Sequence, residues 1–373
     1  MATGGSLTEL VQTALDDFLG VEIARMGRIS PDLQPVGEAA RALLTGGKRF
    51  RARFCYWGWR AVDVPDPLDP MPEPREDDPV LDAVVRVAAG LESLHAAALV
   101  HDDIIDRSAT RRGAPSAHER FAALHRDSGW RGDAARFGEA GGILLGDLLL
   151  SWADALVHAG AARLGDAGRG AAASEEFMTM RSEVTLGQYL DVLEEHSWIV
   201  RPDADAAARA QRVVVYKSAK YSIEAPLVIG ARLGGATEEQ VEALRRFGIP
   251  LGIAYQLRDD LLGVYGDPAV TGKPAGDDLR EGKRTVLIAV ARASLPGSMR
   301  ALVDDLLGDP DLDEGQIDML RRTLRECGAV DRVERAIDRH LEQAIAAIES
   351  ADLAPGARAE LVALAESASK RSA

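Results

Sequence analysis

Four long stretches of this chain, the first at 83–105, carry apolar residues every three or four positions, and several of them are apolar on nearly every side. Such a stretch predicts a helix with protein packed all around it, not one lying on a surface. Residues 143–156, 178–193 and 241–262 repeat the pattern. Apolar residues make up 46% of the 373 positions and aromatics only 5%, so the core is built mainly from Ala, Leu, Val and Ile. That composition suits closely packed helices better than a β-sandwich. Hairpin signals, βα alternation and a fixed-period repeat are absent. The β-branched run 213–215 sits within helical spacing and reads as helix, and Pro250 is expected to kink or break the last of the four helices. The predicted fold is all-α, as a single domain over 1–373.

Three segments read as loops: a Pro-rich acidic one at about 64–79, then 125–142 and 266–282. The chain before the first is too short for a core of its own, so that loop reads as a surface insertion. Residues 313–326, 331–350 and 356–369 read as amphipathic helices without identifiable chemistry.

The net charge of −15 argues against nucleic acid as a partner, because phosphate backbones select basic surfaces. A small phosphorylated substrate needs only a local group of cations. Cys55 and Cys327 have no metal-ligand spacing and read as free thiols of a reducing compartment. The first ten residues lack the basic start and apolar run of a signal peptide, which makes the cytoplasm the expected location. No run of about 18 apolar residues is present, so no membrane-crossing helix is expected.

Chemistry concentrates where the apolar stretches end. In His101-Asp102-Asp103-Ile104-Ile105-Asp106, Asp102 and Asp106 fall one helical turn apart on one face, with Asp103 beside them. Crowded carboxylates repel one another and call for a cation, and an all-oxygen donor set suits Mg²⁺. One such cluster is as easily a solvated helix end. A second, Gln256-Leu257-Arg258-Asp259-Asp260, again closes an apolar helix and favours metal-bound polyphosphate. Cations accompany both: Gly46-Gly47-Lys48-Arg49-Phe50-Arg51, and Arg111-Arg112-Gly113 shortly after the first cluster. The first lacks the spacing of a P-loop. His95 lies seven residues before Asp102 and so on nearly the same stripe of the helix.

Together with Leu94-His95, Gly146-Asp147, Gly187-Gln188-x-x-Asp191, Lys217-Ser218 and Gly282-Lys283-x-Thr285, these motifs resemble the trans-isoprenyl diphosphate synthases, or polyprenyl synthetases. They are most similar to the bacterial geranylgeranyl diphosphate synthases. The matches keep the family's order from about residue 37 to 290. The resemblance implies a bundle of long helices around a central active-site cavity, two or three Mg²⁺ ions, isopentenyl and allylic diphosphate substrates, and a homodimer. It implies that Asp102, Asp103 and Asp106 act at the allylic diphosphate with Asp259 and Asp260, with Asp102, Asp106 and Asp259 as metal ligands. Lys48, Arg51, His95 and Arg112 match the isopentenyl diphosphate site. Arg111, Lys217, Ser218, Gln256, Lys273 and Lys283 match the allylic site, where Lys217, Ser218 and Gln256 also help stabilise the developing cation.

The chain departs from the family at Gly263, where many members carry a third aspartate. Ala52 replaces a usual proline, Ser218 a threonine, and Val286 stands where leucine is common. Ala97 and Ala98, one turn before Asp102, stand where bulky aromatics resemble a floor that stops chain growth near C15 in this family, so a product of about C20 or somewhat longer is expected, geranylgeranyl diphosphate first among the candidates. A class I terpene cyclase shares the fold and an aspartate-rich motif but needs no second substrate site, so Lys48, Arg51 and Arg112 favour the synthase. A non-catalytic subunit of a hetero-oligomeric synthase can lose its metal ligands, and this chain keeps most of them.

Overall fold

The computed structural model describes residues 6–62, 78–111, 113–267 and 276–369. Most of the Pro-rich loop at 64–79, Arg112 and Lys273 lie outside them. The structure is all-α apart from one very short ladder, and it divides into two compact units: Met1–Glu176 with Pro226–Thr237, and Phe177–Ala225 with Glu238–Ala373.

The first unit contains α1 (Leu7–Ile29), α2 (Gln34–Leu44), α3 (Phe50–Val62), α4 (Pro79–Ile105), α5 (Ala117–Asp127), α6 (Ala134–Arg163), the start of α7 (Ala167–Ser197) and nearly all of α9 (Ala225–Gly234). Asp78 caps α4 by accepting a hydrogen bond from the Val80 amide at 2.8 Å, with Pro79 in the first turn, where its missing N–H costs nothing. As its pattern predicts, α4 is buried on nearly all sides, with Leu91 and Leu94 sealed in the core. Truncating such a leucine to Ala costs about 2–5 kcal/mol.

Two expectations change in this unit. Residues 125–142, read as a loop, are largely helical: α5 runs to Asp127 and α6 begins at Ala134, capped by Asp133. Gly129 and Gly132 form the turn between α5 and α6, while Gly138, Gly141 and Gly142 are packing positions within α6. A Cβ at Gly142 would lie 2.7 Å from Ile104 Cδ1, so glycine lets α6 approach α4. A hairpin also exists: β1 (Thr110–Arg111) pairs antiparallel with β2 (Ala114–Pro115), in register Thr110↔Pro115 and Arg111↔Ala114. Two-residue strands are too short for alternation to show in sequence.

By length and composition, α4 and α6 are both apolar enough to cross a membrane, contrary to the sequence expectation. Within α4 the most apolar window is 78% buried in protein, which accounts for its character. In α6 the figure is 44%, with Leu144 and Phe137 exposed.

The second unit holds the rest of α7, α8 (Ala206–Val213), a π-helical segment Val214–Glu224, and α10 (Glu238–Tyr265). Helices Asp277–Glu281, Val286–Ser294, Gly297–Leu306, Glu314–Glu326, Ala329–Glu349 and Pro355–Ser369 complete it. Its core joins Leu257 and Leu261 of α10 to Leu287, Leu320, Val333 and Ile337. Residues 213–215 are helical, as read, but lead into the wider π turn. Pro250 does not break α10, which runs through it. Proline inside a helix costs about 3 kcal/mol, and the burial of Phe247, Leu251 and Ala254 around it offsets that.

Candidate active site

The C-terminal end of α4 carries the first acidic cluster. Asp102 and Asp106 stand one turn apart, joined by a backbone bond of 2.8 Å from the Asp106 amide to the Asp102 carbonyl, and both are half-buried. Asp103 turns inward and is only 2% exposed. Strand β1 delivers its counter-ion: Arg111 donates to Asp103 Oδ1 through Nε at 2.9 Å and through Nη2, which also lies 3.6 Å from Asp102 Oδ2. Arg111 therefore offsets part of the cluster's charge, at Asp103 and Asp102. His101, for which sequence offered no role, lies against α6, with Nε2 3.3 Å from the Ile143 carbonyl and 3.6 Å from Asp147. Further back on α4, His95 and Ala98 are half-buried and Ala97 is fully buried.

The Gly46–Arg51 loop is built around a residue that received no role from sequence. Arg49 adopts a left-handed backbone (φ 47°), following Gly46 and Gly47, which also have positive φ. Its guanidinium, 4% exposed with its backbone, donates to Gln12 Oε1 at 2.6 Å, to the Leu44 carbonyl at 2.5 Å and to Glu92 Oε2 at 3.4 Å. Glu92 Oε1 in turn accepts from the Ala52 amide at 3.2 Å, at the start of α3. Arg49 anchors the loop, and Lys48 (exposed) and Arg51 (8% exposed) flank the anchor. Glu92 was missed; its signal is a lone acid in an otherwise apolar run.

The second acidic cluster ends α10. Asp259 is exposed and Asp260 is 5% exposed. Asp260 Oδ1 accepts from Gln256 Nε2 at 2.7 Å, while Oδ2 has no hydrogen-bond partner among the described residues. Burial first, then the nearby Asp278, Asp259 and Asp191 carboxylates, push the Asp260 carboxyl up to about 8, against the opposing pull of the Gln256 bond. Arg258 forks onto Glu334 with two 2.6 Å bonds and so ties α10 to helix Ala329–Glu349.

Lysines meet carboxylates in the same unit. Lys217 Nζ lies 2.5 Å from Asp191 Oδ2, and Lys220 Nζ 2.5 Å from Glu183. Both lysines sit on the π-helical segment, a geometry that recurs at functional sites. It packs against α7 at Gly187, where a Cβ would meet the Lys217 amide nitrogen at 2.4 Å. Ser218 is half-buried beside Lys217. Lys283 Nζ stands 2.8 Å from Glu281 and 3.9 Å from Asp278. The second unit thus gathers Asp191, Lys217, Gln256, Asp260 and Asp278 through bonds or mutual charge, while the first gathers Asp102, Asp103 and Arg111.

These residues fit Mg²⁺. Their donors are hard carboxylate oxygens, and the buried Asp260 Oδ2, without a hydrogen-bond partner among the described residues, lies near other acids, a setting that a bound cation relieves. Among the described residues no three potential ligands gather closely enough to hold an ion by themselves. Water and phosphate oxygens complete such a coordination sphere, which Mg²⁺ tolerates.

Comparison with known proteins agrees with this chemistry. Residues 34–324 match the family model described as polyprenyl synthetase. The chain is 33% identical over 270 residues to a geranylfarnesyl diphosphate synthase of Aeropyrum pernix, covering 70% of this chain and 74% of that one. It is 25% identical to the octaprenyl diphosphate synthase of Escherichia coli, covering 98% and 99%. A crystal structure of a geranylgeranyl pyrophosphate synthase from Corynebacterium glutamicum, complexed with isoprenyl diphosphate and magnesium, superposes with a TM-score of 0.89 at 35% identity, covering 98% and 99%. With an all-α fold, carboxylate clusters closing α4 and α10, and a family match over most of its length, this chain belongs to the polyprenyl synthetase family of prenyltransferases.

Proposed function

We propose that this chain condenses isopentenyl diphosphate head to tail (1′-4) with dimethylallyl, geranyl or farnesyl diphosphate, and that its main product is geranylgeranyl diphosphate. The observation that carries the proposal is the pair of aspartate clusters at the ends of apolar helices, the first of them paired with Arg111. The allylic C–O bond breaks, and its electron pair leaves with the diphosphate. The isopentenyl double bond attacks the allylic cation, and proton loss restores a double bond. Mg²⁺, two or three ions when bound, adds positive charge at the leaving diphosphate.

The chain's own groups hold and orient. Asp102 and Asp106 of α4 would hold Mg²⁺, as would Asp259 of α10, with Asp103 and Asp260 as the buried acids of their respective clusters. Lys48, Arg51, His95 and Arg112 take the isopentenyl diphosphate. Arg111, Lys217, Ser218, Gln256, Lys273 and Lys283 serve the allylic diphosphate, and Asp191 fixes the Lys217 ammonium. Preorganised charge of this kind lowers the barrier where charge develops. Apolar helix walls exclude the water that would trap a cation. The small, half-buried Ala98 supports a product longer than C15. The exposed apolar residues of α6 support a homodimer, and the protein is proposed to work in the cytoplasm.

The test incubates the purified chain with labelled isopentenyl diphosphate and each short allylic primer. Geranylgeranyl diphosphate as main product supports the proposal. Cyclised hydrocarbon without isopentenyl diphosphate consumption identifies a terpene cyclase, and no turnover by the chain alone identifies a non-catalytic subunit.

A further inference from the structure

Helix α7 ends at Ser197 and passes into the single 3₁₀ turn Trp198–Val200. The half-buried Trp198 ring meets two arginines that lie far away in sequence. The Arg284 guanidinium stacks over it, Cζ 3.7 Å from the ring centroid, and Arg292 Cζ stands at 4.8 Å. Both arginines converge on one carboxylate. Arg284 Nη1 donates to Asp304 Oδ1 at 3.2 Å, and Arg292 forks onto Asp304 through Nε at 2.7 Å and Nη2 at 2.9 Å. Arg292 Nη1 also donates to Asp203 Oδ1 at 2.8 Å. The Arg284 side chain is 10% exposed, and its Nε has no hydrogen-bond partner among the described residues. A guanidinium so placed is costly unless something faces its charge. The ring face and Asp304 do so.

Arg284 follows Lys283, in the three residues without regular structure between helices Asp277–Glu281 and Val286–Ser294. Main-chain contacts fix the near end of this segment. The Lys283 amide donates to the Asp278 carbonyl at 3.1 Å, and Gly282, with positive φ, sits where a Cβ would lie 2.8 Å from Gly308 Cα. Thr285 caps the next helix at the far end. Between them, the Arg284 side chain ties the segment sideways to the end of α7. Two helical turns before Trp198 on α7 is Asp191, whose carboxylate holds the Lys217 ammonium. The ring thus joins the element that carries Asp191 to the segment that carries Lys283, all within the second unit.

We propose that Trp198 is a positioning residue for the allylic diphosphate: its ring clamps Arg284 and so fixes Lys283 relative to the Asp191–Lys217 pair. The inference rests on the allylic role given to Lys217 and Lys283 above. Lys48, Arg51 and His95, assigned to isopentenyl diphosphate, belong to the first unit, so the clamp acts on one substrate only.

The test measures KM for each substrate, kcat and Tm in the full chain with Mg²⁺. Trp198→Leu keeps apolar bulk but removes the ring face. It is expected to raise KM for the allylic diphosphate by about threefold or more, while KM for isopentenyl diphosphate stays at the parental value. Trp198→Phe presents a face again and is expected to bring the allylic KM back toward the parent's. A residue needed only for stability would lower Tm and leave both KM values alone. Arg284→Lys keeps the charge beside Asp304 but gives up the planar stack, and is expected to raise the allylic KM as well. A parental allylic KM in Trp198→Leu overturns the inference. So does an equal rise for both substrates, or a Trp198→Phe no better than Trp198→Leu. Should Trp198→Leu fail to fold, a parental allylic KM in Arg284→Lys overturns it instead. Lys283→Ala separates the two levels. If it raises the allylic KM while Trp198→Leu does not, only the inference falls; if neither raises it, the allylic role of Lys283 falls too.

Discussion

Glu92 and Arg49 form an ion pair sealed in the first unit, Nη1 to Oε2 3.4 Å, with side chains 3% and 7% exposed. Glu92 also accepts from the Ala52 amide, so one carboxylate holds both the loop and the start of α3. Glu92→Gln removes the charge opposite a buried guanidinium, which costs about 3–5 kcal/mol. A lowered Tm in thermal unfolding is expected, together with a raised KM for isopentenyl diphosphate, since Lys48 and Arg51 flank Arg49. An unchanged Tm would show that the pair does not hold the loop.

The three aspartates of α4 should fail differently. Asp102→Ala or Asp106→Ala is expected to lower kcat by at least about a hundredfold while circular dichroism and Tm stay near the parent's. Asp103→Ala leaves Arg111 without its inward partner, so Tm should fall as well as turnover. Near-normal turnover in Asp102→Ala would remove it from the metal site.

Gly187 controls the placement of Lys217. The methyl of Gly187→Ala would meet the Lys217 amide at 2.4 Å and push the π-helical segment away from α7. Steady-state kinetics should show a higher KM for the allylic diphosphate and little change for isopentenyl diphosphate. Equal changes in both would separate the segment from allylic binding.

Ala97 and Ala98 are not equivalent. Ala97 is fully buried, and a phenylalanine there overpacks the core at a cost of about 1–3 kcal/mol, read as a lower Tm. Ala98 is half-buried. Ala98→Phe should fold normally and shift products toward C15 or shorter by chromatography. An unchanged distribution would place the growing tail elsewhere.

The thiols should also differ. Burial pushes the Cys55 thiol up to about 12. At pH 8 it stays protonated and sheltered, and thiolate is the reactive form. Peptide mapping after alkylation of the native chain should find Cys55 unlabelled, and labelled once the chain is unfolded. Labelling of native Cys55 at the rate of a model thiol would contradict its burial.

Sequence by itself determined the helical class and the carboxylate clusters. Helix periodicity is local: Asp102 and Asp106 lie one turn apart along the chain and Asp259 stands next to Asp260, so spacing alone groups each pair. It also marked Cys55 and Cys327 as free, and the structure leaves both unpaired. Tertiary structure decided what depends on side chains far apart in sequence. Gly138, Gly141 and Gly142 signal a loop until α4 and α5 are seen packed against them. The ion pair of Arg111 with Asp103 appears only once the hairpin turns strand β1 back onto α4. Glu92 and Trp198 carry no motif, because what matters in each is the partner it reaches, Arg49 for one and Arg284 for the other. Burial and long-range approach set those relations, and neither is a property of a residue and its neighbours along the chain.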